Sequence, residues 1–166
     1  YTIVRANWFN QNFSENFLVE GILKGHVALP FAEAKIPFVD ANDIAEVAVS
    51  ALTDDKHNGK IYQLTGPERL TFKEAVHMIS KASGREIQFT GISVEAYVAA
   101  MRQKNVPEDF IWLVEYLFTE VLGNPDNSEI TNDIKKVLGR KPIHFKDYVE
   151  KSVNNGVWDV SAVYSH

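Results

Sequence analysis

The chain has 166 residues, of which 45% are hydrophobic and 23% charged, and its formal net charge is −5. This balance is typical of a soluble globular domain that is long enough to bury a core, whereas a nucleic-acid-binding protein would need a basic face. The absence of cysteine excludes disulfide scaffolds, thiol nucleophiles and cysteine-ligated zinc. No apolar run approaches the ~18 residues that a membrane span requires, so we predict a soluble, cytoplasmic protein.

The first predicted element is a strand at residues 2–4, where three β-branched residues follow one another. Such a run is typical of a strand that is buried on both faces, as in a parallel sheet. A cluster of polar and aromatic residues follows at 5–12, and open α/β sheets bind ligands just beyond the carboxyl ends of their strands. A strand in this position also needs neighbours, so we expect the sequence to be the back part of a larger protein.

Helices and short extended segments alternate over residues 14–90. The spacing of apolar residues and the capping signals predict helices at 14–24, 40–52 and 71–83, and extended segments at 27–30, 36–39, 60–65 and 86–90. Thr71 and Glu74 carry the sequence signature of a capping box. Strand–helix units in this order are typical of parallel strands that are joined by crossover helices.

Two groups of titratable residues invite a chemical interpretation. Asp40 and Asp43 could perform acid–base chemistry or hold a metal, but helix capping and compensation of the helix dipole explain both, and we favour that interpretation. The five histidines match no metal-ligand spacing, and we expect His57 and His77 to be exposed. The sequence therefore predicts no metal site, and it leaves the catalytic residues unknown.

From Ser93 onward the pattern predicts successive helices at 94–104, 108–122, 131–138 and 145–154. The helix at 108–122 is apolar nearly all round, so it is either sandwiched between layers or faces a partner or a pocket. These patterns divide the chain into a sheet-containing segment at 1–92, a helical lobe at 93–154 and a tail at 155–166.

Four stretches, taken together, resemble one known family. They are YTIVRANWFNQNF at 1–13, PFVDANDIA at 37–45, GKIYQLTGP at 59–67 with LTFKE at 70–74, and TNDIKKVLGRKP at 131–142. Their order and spacing resemble the C-terminal half of the NmrA-like, atypical short-chain dehydrogenase/reductases over roughly residues 1–150. The resemblance implies an α/β fold that forms the C-terminal part of a Rossmann-like NAD(P)-binding domain, with a few mostly parallel strands and a small helical lobe on the substrate side.

The resemblance also implies a function for the full-length protein. It would be an NAD(P)H-dependent oxidoreductase that acts on a quinone or a similar small acceptor; the alternative is a redox sensor that binds NADP without turning it over. The family's glycine-rich dinucleotide turn is absent here, and no tyrosine is followed four residues later by lysine. We therefore expect the chain alone to be inactive and to bind no cofactor. Its expected partners are a small-molecule substrate, the missing N-terminal half and possible further copies of the chain, without nucleic acid or membrane.

The same resemblance assigns site residues on the two sides of a ligand cleft. The cofactor side comprises Ala6, Asn7, Trp8 and Phe9, and the substrate side comprises Phe13, Phe17, Trp112 and Tyr116. Structural alternatives stay open: Trp8 and Phe9 can be core residues, and Asn7 can cap the loop. The helix that carries Trp112 and Tyr116 can equally be buried or form a dimer face.

Overall fold

The computed structural model describes residues 1–160 and has an α/β architecture with four short strands and seven α-helices in that range. The strands are β1 (Ile3–Ala6), β2 (His26–Leu29), β3 (Ile61–Leu64) and β4 (Gln88–Gly91). The helices are α1 (Val19–Leu23), α2 (Ala41–Thr53), α3 (Phe72–Ser83), α4 (Val94–Gln103), α5 (Glu108–Tyr116), α6 (Asp133–Leu138) and α7 (Phe145–Asn154). A π-helix at Leu117–Leu122 continues α5, and shorter 3-10 turns lie at Asn10–Phe13, Asp55–His57 and Pro125–Ser128.

The strands form two parallel pairs, β1 with β3 and β2 with β4. A helix lies between the members of each pair in sequence, as parallel connections require. This arrangement confirms the predicted α/β fold with a few parallel strands. Beyond β4 the described chain adds only helices and turns, in agreement with the helical pattern of the sequence after Ser93.

β1 is less buried than the sequence predicts. Its amides at Ile3 and Asn7 donate to the Lys60 and Leu64 carbonyls, at 2.9 and 3.0 Å, on the β3 side. Successive amides of a strand point to opposite edges, so those of Val4 and Ala6 point to an edge that no described strand pairs. Burial on both faces was the wrong prediction: Ile3, Arg5 and Ala6 are exposed and Val4 is half-buried, because the elements in residues 1–160 do not cover both faces of this strand.

The main core lies where α3 and α7 pack together with β2 and the turn that follows β1. Its centre is a set of aromatic rings: Phe13 lies 5.2 Å from both Phe38 and Phe145, and Phe72 lies 5.4 Å from Phe38, measured between ring centroids. Aromatic pairs at this separation add to the free energy of area burial. The core thereby fixes the position of the segment that leaves β1.

The predicted capping residues at the starts of α2 and α3 are confirmed. The Glu74 amide donates to Thr71 Oγ1 at 3.0 Å, and the Thr71 amide donates to Glu74 Oε2 at 2.7 Å, which forms the capping box. Asp40 caps α2 by accepting from the Asn42 amide at 2.8 Å. Both interactions satisfy backbone donors that the first helical turn leaves unpaired.

Asp43 is buried and connects α2 to the segment between α6 and α7. Its carboxylate accepts from Arg140 Nη1 at 2.6 Å and from the Ile143 amide at 2.8 Å. These charge-assisted bonds account for a carboxylate that has no exposed surface. The structure therefore gives Asp43 a structural role, and it supports our preference for a structural interpretation of the Asp40–Asp43 pair.

The expectation that His57 is exposed was wrong. His57 is buried: its Nδ1 lies 2.7 Å from the Tyr62 hydroxyl, whereas its Nε2 has no hydrogen-bond partner among the described residues. Within the predicted tail at 155–166, Trp158 is buried: it is 2% exposed, and its Nε1 donates to the Phe13 carbonyl at 2.8 Å. Residues 161–166 of that tail lie outside the described residues. His77 is exposed, as predicted.

Tyr148 on α7 makes the stability of the chain sensitive to high pH. Burial raises the pKa of its hydroxyl to about 12, whereas an unfolded tyrosine titrates near 10. The contribution of the protonated Tyr148 hydroxyl to the free energy of unfolding is fully present below pH ~10 and is lost as pH rises through ~12, because the hydroxyl loses its proton at a lower pH in the unfolded state than in the folded state. We expect the free energy of unfolding to fall by roughly 2–3 kcal/mol over this window.

Tyr148→Phe keeps the ring but removes the titrating hydroxyl, so the variant should lack this part of the pH dependence. Urea unfolding of both proteins at a series of pH values between 8 and 12 would measure the difference. An identical pH dependence for the two proteins would contradict the prediction.

Candidate functional site

The segment that follows β1 turns out of the sheet and is held by the side chain of Asn7. Its Nδ2 donates to the Asn127 carbonyl at 2.8 Å, and its Oδ1 accepts from the Trp8 amide at 2.8 Å. The side chain thus joins the carboxyl end of β1 to the turn at Pro125–Ser128. A carboxamide has two donor hydrogens and two acceptor lone pairs, so Asn7 retains one donor and one acceptor position beyond these two bonds.

A cavity of about 230 Å³ opens beside this junction. Asn7 and Trp8 form one wall, residues 34–36 form a second, and residues 121–124 with 127–128 form the third. The position agrees with the expectation that ligands bind beyond the carboxyl ends of parallel strands. The sequence did not identify the second and third walls, because they come from segments that are distant along the chain.

Trp8 is half-buried and connects the cavity to the core. Its ring centroid lies 5.7 Å from those of Phe72 and Phe118 and 6.4 Å from that of Phe17. Trp8 is therefore partly a core residue and partly a wall of the cavity, which combines the two interpretations that the sequence left open.

Phe9 and Ala6 lie close to the cavity without lining it. The backbone beside Phe9 pairs with Val39: the Val39 amide donates to the Trp8 carbonyl and the Asn10 amide donates to the Val39 carbonyl, both at 2.9 Å. The Phe9 ring is 40% exposed. Ala6 is exposed at the last position of β1, opposite Leu64. Their assignment to cofactor binding stays a prediction.

The third wall contains a π-helix, a wide turn that often occurs at functional sites. It contributes Val121 and Leu122, and Gly123 follows directly. A Cβ at Gly123 would lie 2.2 Å from the Thr119 carbonyl oxygen, a distance that real side chains do not reach. Glycine is therefore required where the π-helix ends. The apolar periodicity of the sequence predicted one continuous helix and gave no signal for this change of turn.

The residues predicted on the substrate side do not form one group. Phe13 has no exposed surface and packs in the aromatic core, so we correct its assignment and exclude it from the candidate site. Phe17 lies next to Trp8 and is partly exposed. Trp112 and Tyr116 stack on each other on an exposed face of α5, and neither lines the cavity.

The cavity offers hydrogen bonds and apolar contacts, with little capacity for acid–base chemistry. The titratable side chain in its lining, as far as residues 1–160 show, is Lys35, whose Nζ lies 2.8 Å from the Glu74 carboxylate. No group of three His, Cys, Asp or Glu side chains in the described chain is placed to hold a metal ion. Within the same range, no helix is long and apolar enough to cross a membrane.

Comparison with known proteins identifies the family. The model of the NmrA-like family matches residues 1–149. The chain belongs to the NmrA-like family. It is 31% identical over 149 residues to the uncharacterized oxidoreductase YesF of Bacillus subtilis, where the match covers 89% of the chain and 52% of that protein. It is 32% identical over 152 residues to the NAD(P)H azoreductase of Xenophilus azovorans, covering 90% of the chain and 52% of that enzyme.

Solved structures agree with the fold of this NmrA-like chain. The NADPH-dependent quinone oxidoreductase of Escherichia coli, solved with NADPH, matches 91% of the chain and 53% of its own length with a TM-score of 0.74 and 20% identity. The negative transcriptional regulator NmrA, solved with NAD, matches 93% of the chain and 52% of its own length with a TM-score of 0.61 and 18% identity. The chain thus spans about half the length of the relatives it matches.

Proposed function

We propose that this NmrA-like chain is the substrate-side portion of a longer NAD(P)-binding protein that reduces a quinone or a similar small planar acceptor. The observation that carries the proposal is the cavity at the carboxyl end of β1, where the Asn7–Trp8 segment meets the helical lobe. The names of two relatives, an NAD(P)H azoreductase and a quinone oxidoreductase, support a flat conjugated acceptor.

The residues present fit a nicotinamide ring and a planar acceptor. Asn7 keeps a donor and an acceptor position, and Trp8 and Leu122 supply apolar walls. The dinucleotide, when bound, supplies the hydride. The chain's own residues would orient the two rings and exclude water from the space between them, and their shape would determine which acceptor enters.

We further propose that the exposed side of β1 is where a dinucleotide-binding N-terminal half packs. A groove of about 450 Å³ runs between β1 and α2, with Val4, Ala48, Ala51 and Leu52 among its lining residues. Leu52 and Ile61 are largely exposed apolar side chains on the same part of the fold. An added strand beside β1 would pair with the amides of Val4 and Ala6 and cover this surface.

A second candidate function is an NADP-binding redox sensor that does not turn its cofactor over. The fold match to the regulator NmrA supports it, and so does the pairing of Lys35, the cavity's titratable side chain, with Glu74. Such a protein would need the same ring-binding residues and no proton donor. The two candidates differ in turnover and share the binding of NAD(P).

The assay that decides between them uses the protein encoded by the complete reading frame. We expect the frame to encode a strand and a glycine-rich turn before Tyr1, and the protein to bind NADPH and oxidise it with menadione. Asn7→Ala should raise KM for NADPH about fivefold, since a lost hydrogen bond is worth about 1 kcal/mol. Asn155→Ala, at an exposed position after α7, is the matched control and should leave KM unchanged.

Each outcome of this assay has a distinct meaning. NADPH binding with no oxidation of NADPH, tested with several quinones and azo dyes, would favour the sensor over the reductase. Failure to bind NADPH or NADH would overturn both candidates. A reading frame without a dinucleotide-binding strand and turn before Tyr1 would overturn the proposal that this chain is the substrate-side portion of a longer protein.

A further inference from the structure

An exposed stripe of four residues runs along α5 and the π-helix that continues it. It consists of Asp109, Trp112, Tyr116 and Glu120, whose spacing of three, four and four residues keeps them on one side of the helix. The Trp112 and Tyr116 side chains are 65% and 46% exposed, and their rings stack with centroids 5.7 Å apart and an interplanar angle of 17°. We call these four residues the α5 stripe.

The ends of the α5 stripe carry uncompensated negative charge. Among the residues that the structure describes, no cationic side chain forms an ion pair with Asp109 or Glu120, and the nearby Arg102 is already bound to Glu108 at 2.9 Å. The stripe therefore presents a carboxylate, two stacked aromatic rings and a second carboxylate in sequence. An exposed aromatic surface with a polar rim of one sign is typical of a site for another protein.

Other occupants of the stripe fit less well. Trp112 and Tyr116 do not line the cavity beside Asn7, so a substrate in that cavity would not reach them. An anionic membrane surface would repel the two carboxylates. A second copy docked through the same stripe would place its own carboxylates against Asp109 and Glu120, and like charges across an interface cost several kcal/mol.

We propose that the α5 stripe docks an amphipathic helix of a basic partner protein. The helix would carry arginine or lysine at both ends of an apolar segment. The two carboxylates are eleven residues apart, which corresponds to about 16 Å along a helix, so the cations of the partner should lie about three turns apart. Trp112 and Tyr116 would contact the apolar segment and attract an arginine over their ring faces. This inference does not depend on the proposed reductase or sensor function.

The test uses the protein encoded by the complete reading frame and two synthetic helical peptides. One peptide has arginine at two positions eleven residues apart with leucines between them, and the other has glutamate at those two positions. Calorimetric titration should show binding of the arginine peptide and at least tenfold weaker binding of the glutamate peptide. Asp109→Lys with Glu120→Lys should reverse this preference, and Trp112→Ala should weaken binding of the arginine peptide about tenfold.

The matched control changes the same number of charges elsewhere. Glu86→Lys with Glu150→Lys alters two exposed glutamates that lie outside α4, α5 and the π-helix, and it should leave the affinity within about twofold. An equal loss in this control would show that only net charge matters and would overturn the proposal. Sedimentation that shows self-association abolished by the Asp109→Lys/Glu120→Lys variant would also overturn it, in favour of a second copy.

Discussion

Trp158→Ala is expected to lower the free energy of unfolding of the chain by about 4 kcal/mol. The indole is 2% exposed, lies edge-on to Tyr148 at 6.2 Å and donates to the Phe13 carbonyl. Its removal would leave a large cavity beside the aromatic core and an unpaired carbonyl. Urea unfolding followed by far-ultraviolet circular dichroism would measure the loss.

The chain offers a matched control for this substitution. Trp112 is the same residue type, but its side chain is 65% exposed on α5, so Trp112→Ala should change the free energy of unfolding by less than about 0.5 kcal/mol. Trp158→Phe keeps most of the ring and removes the donor, and it should cost about 1–2 kcal/mol. A stability of Trp158→Ala within 1 kcal/mol of the unsubstituted chain would show that residues 155–160 do not pack as described.

Features that depend on a few consecutive residues were predictable from the sequence. The capping box of Thr71 and Glu74 needs only four residues, and both of its hydrogen bonds are present. The strand–helix alternation that precedes β4 likewise follows from local periodicity. The family resemblance rested on several such local segments in order, and the match of residues 1–149 to the NmrA-like family confirms it.

Features that depend on distant neighbours were not predictable in the same way. Whether β1 is buried depends on the elements that pack around it, and β-branched residues alone do not specify those elements. His57 was expected to be exposed because it lies in a polar turn, yet Tyr62 and the start of β1 enclose it. Trp158 follows the last predicted helix, and it is buried by packing in the aromatic core, where its Nε1 donates to the carbonyl of Phe13, 145 residues away.

In the candidate site, too, some features were predictable from consecutive residues, and others depend on residues that are distant along the chain. The sequence located the Asn7–Trp8 wall because polar and aromatic residues after a strand indicate a ligand edge. The wall from 121–124 and 127–128 is held to Asn7 by a bond between residues 120 positions apart, and no pattern along the chain encodes that pairing. Phe13 and Trp8 are both aromatic residues after β1, but only the packing of α3 and α7 decides which of them reaches the cavity.

The open edge of β1 leads to the second prediction with a large effect. The amides of Ile3 and Asn7 point toward β3, so by alternation the Val4 amide points away from β3 and the Arg5 amide points toward it. Val4→Pro therefore removes an outward-pointing amide, whereas Arg5→Pro removes an amide that faces β3. Proline is tolerated on an edge strand when the missing amide faces outward. We therefore expect Val4→Pro to fold, and Arg5→Pro to lose roughly 2 kcal/mol of stability because a carbonyl of β3 is left without its donor.

The Val4→Pro variant should also lose the interactions that the open edge supports. An exposed, unpaired strand edge with apolar neighbours such as Ile61 promotes association of strands from other copies. We expect the chain alone to form dimers or larger species in sedimentation velocity experiments, and Val4→Pro to shift them to monomer.

In the protein encoded by the complete reading frame, the same substitution should separate the two halves and abolish NADPH binding, while Ile130→Pro, at an exposed position outside the strands, should not. Unchanged association and unchanged NADPH binding in Val4→Pro would show that this edge pairs with nothing, and the proposed place of the dinucleotide-binding half would then be wrong.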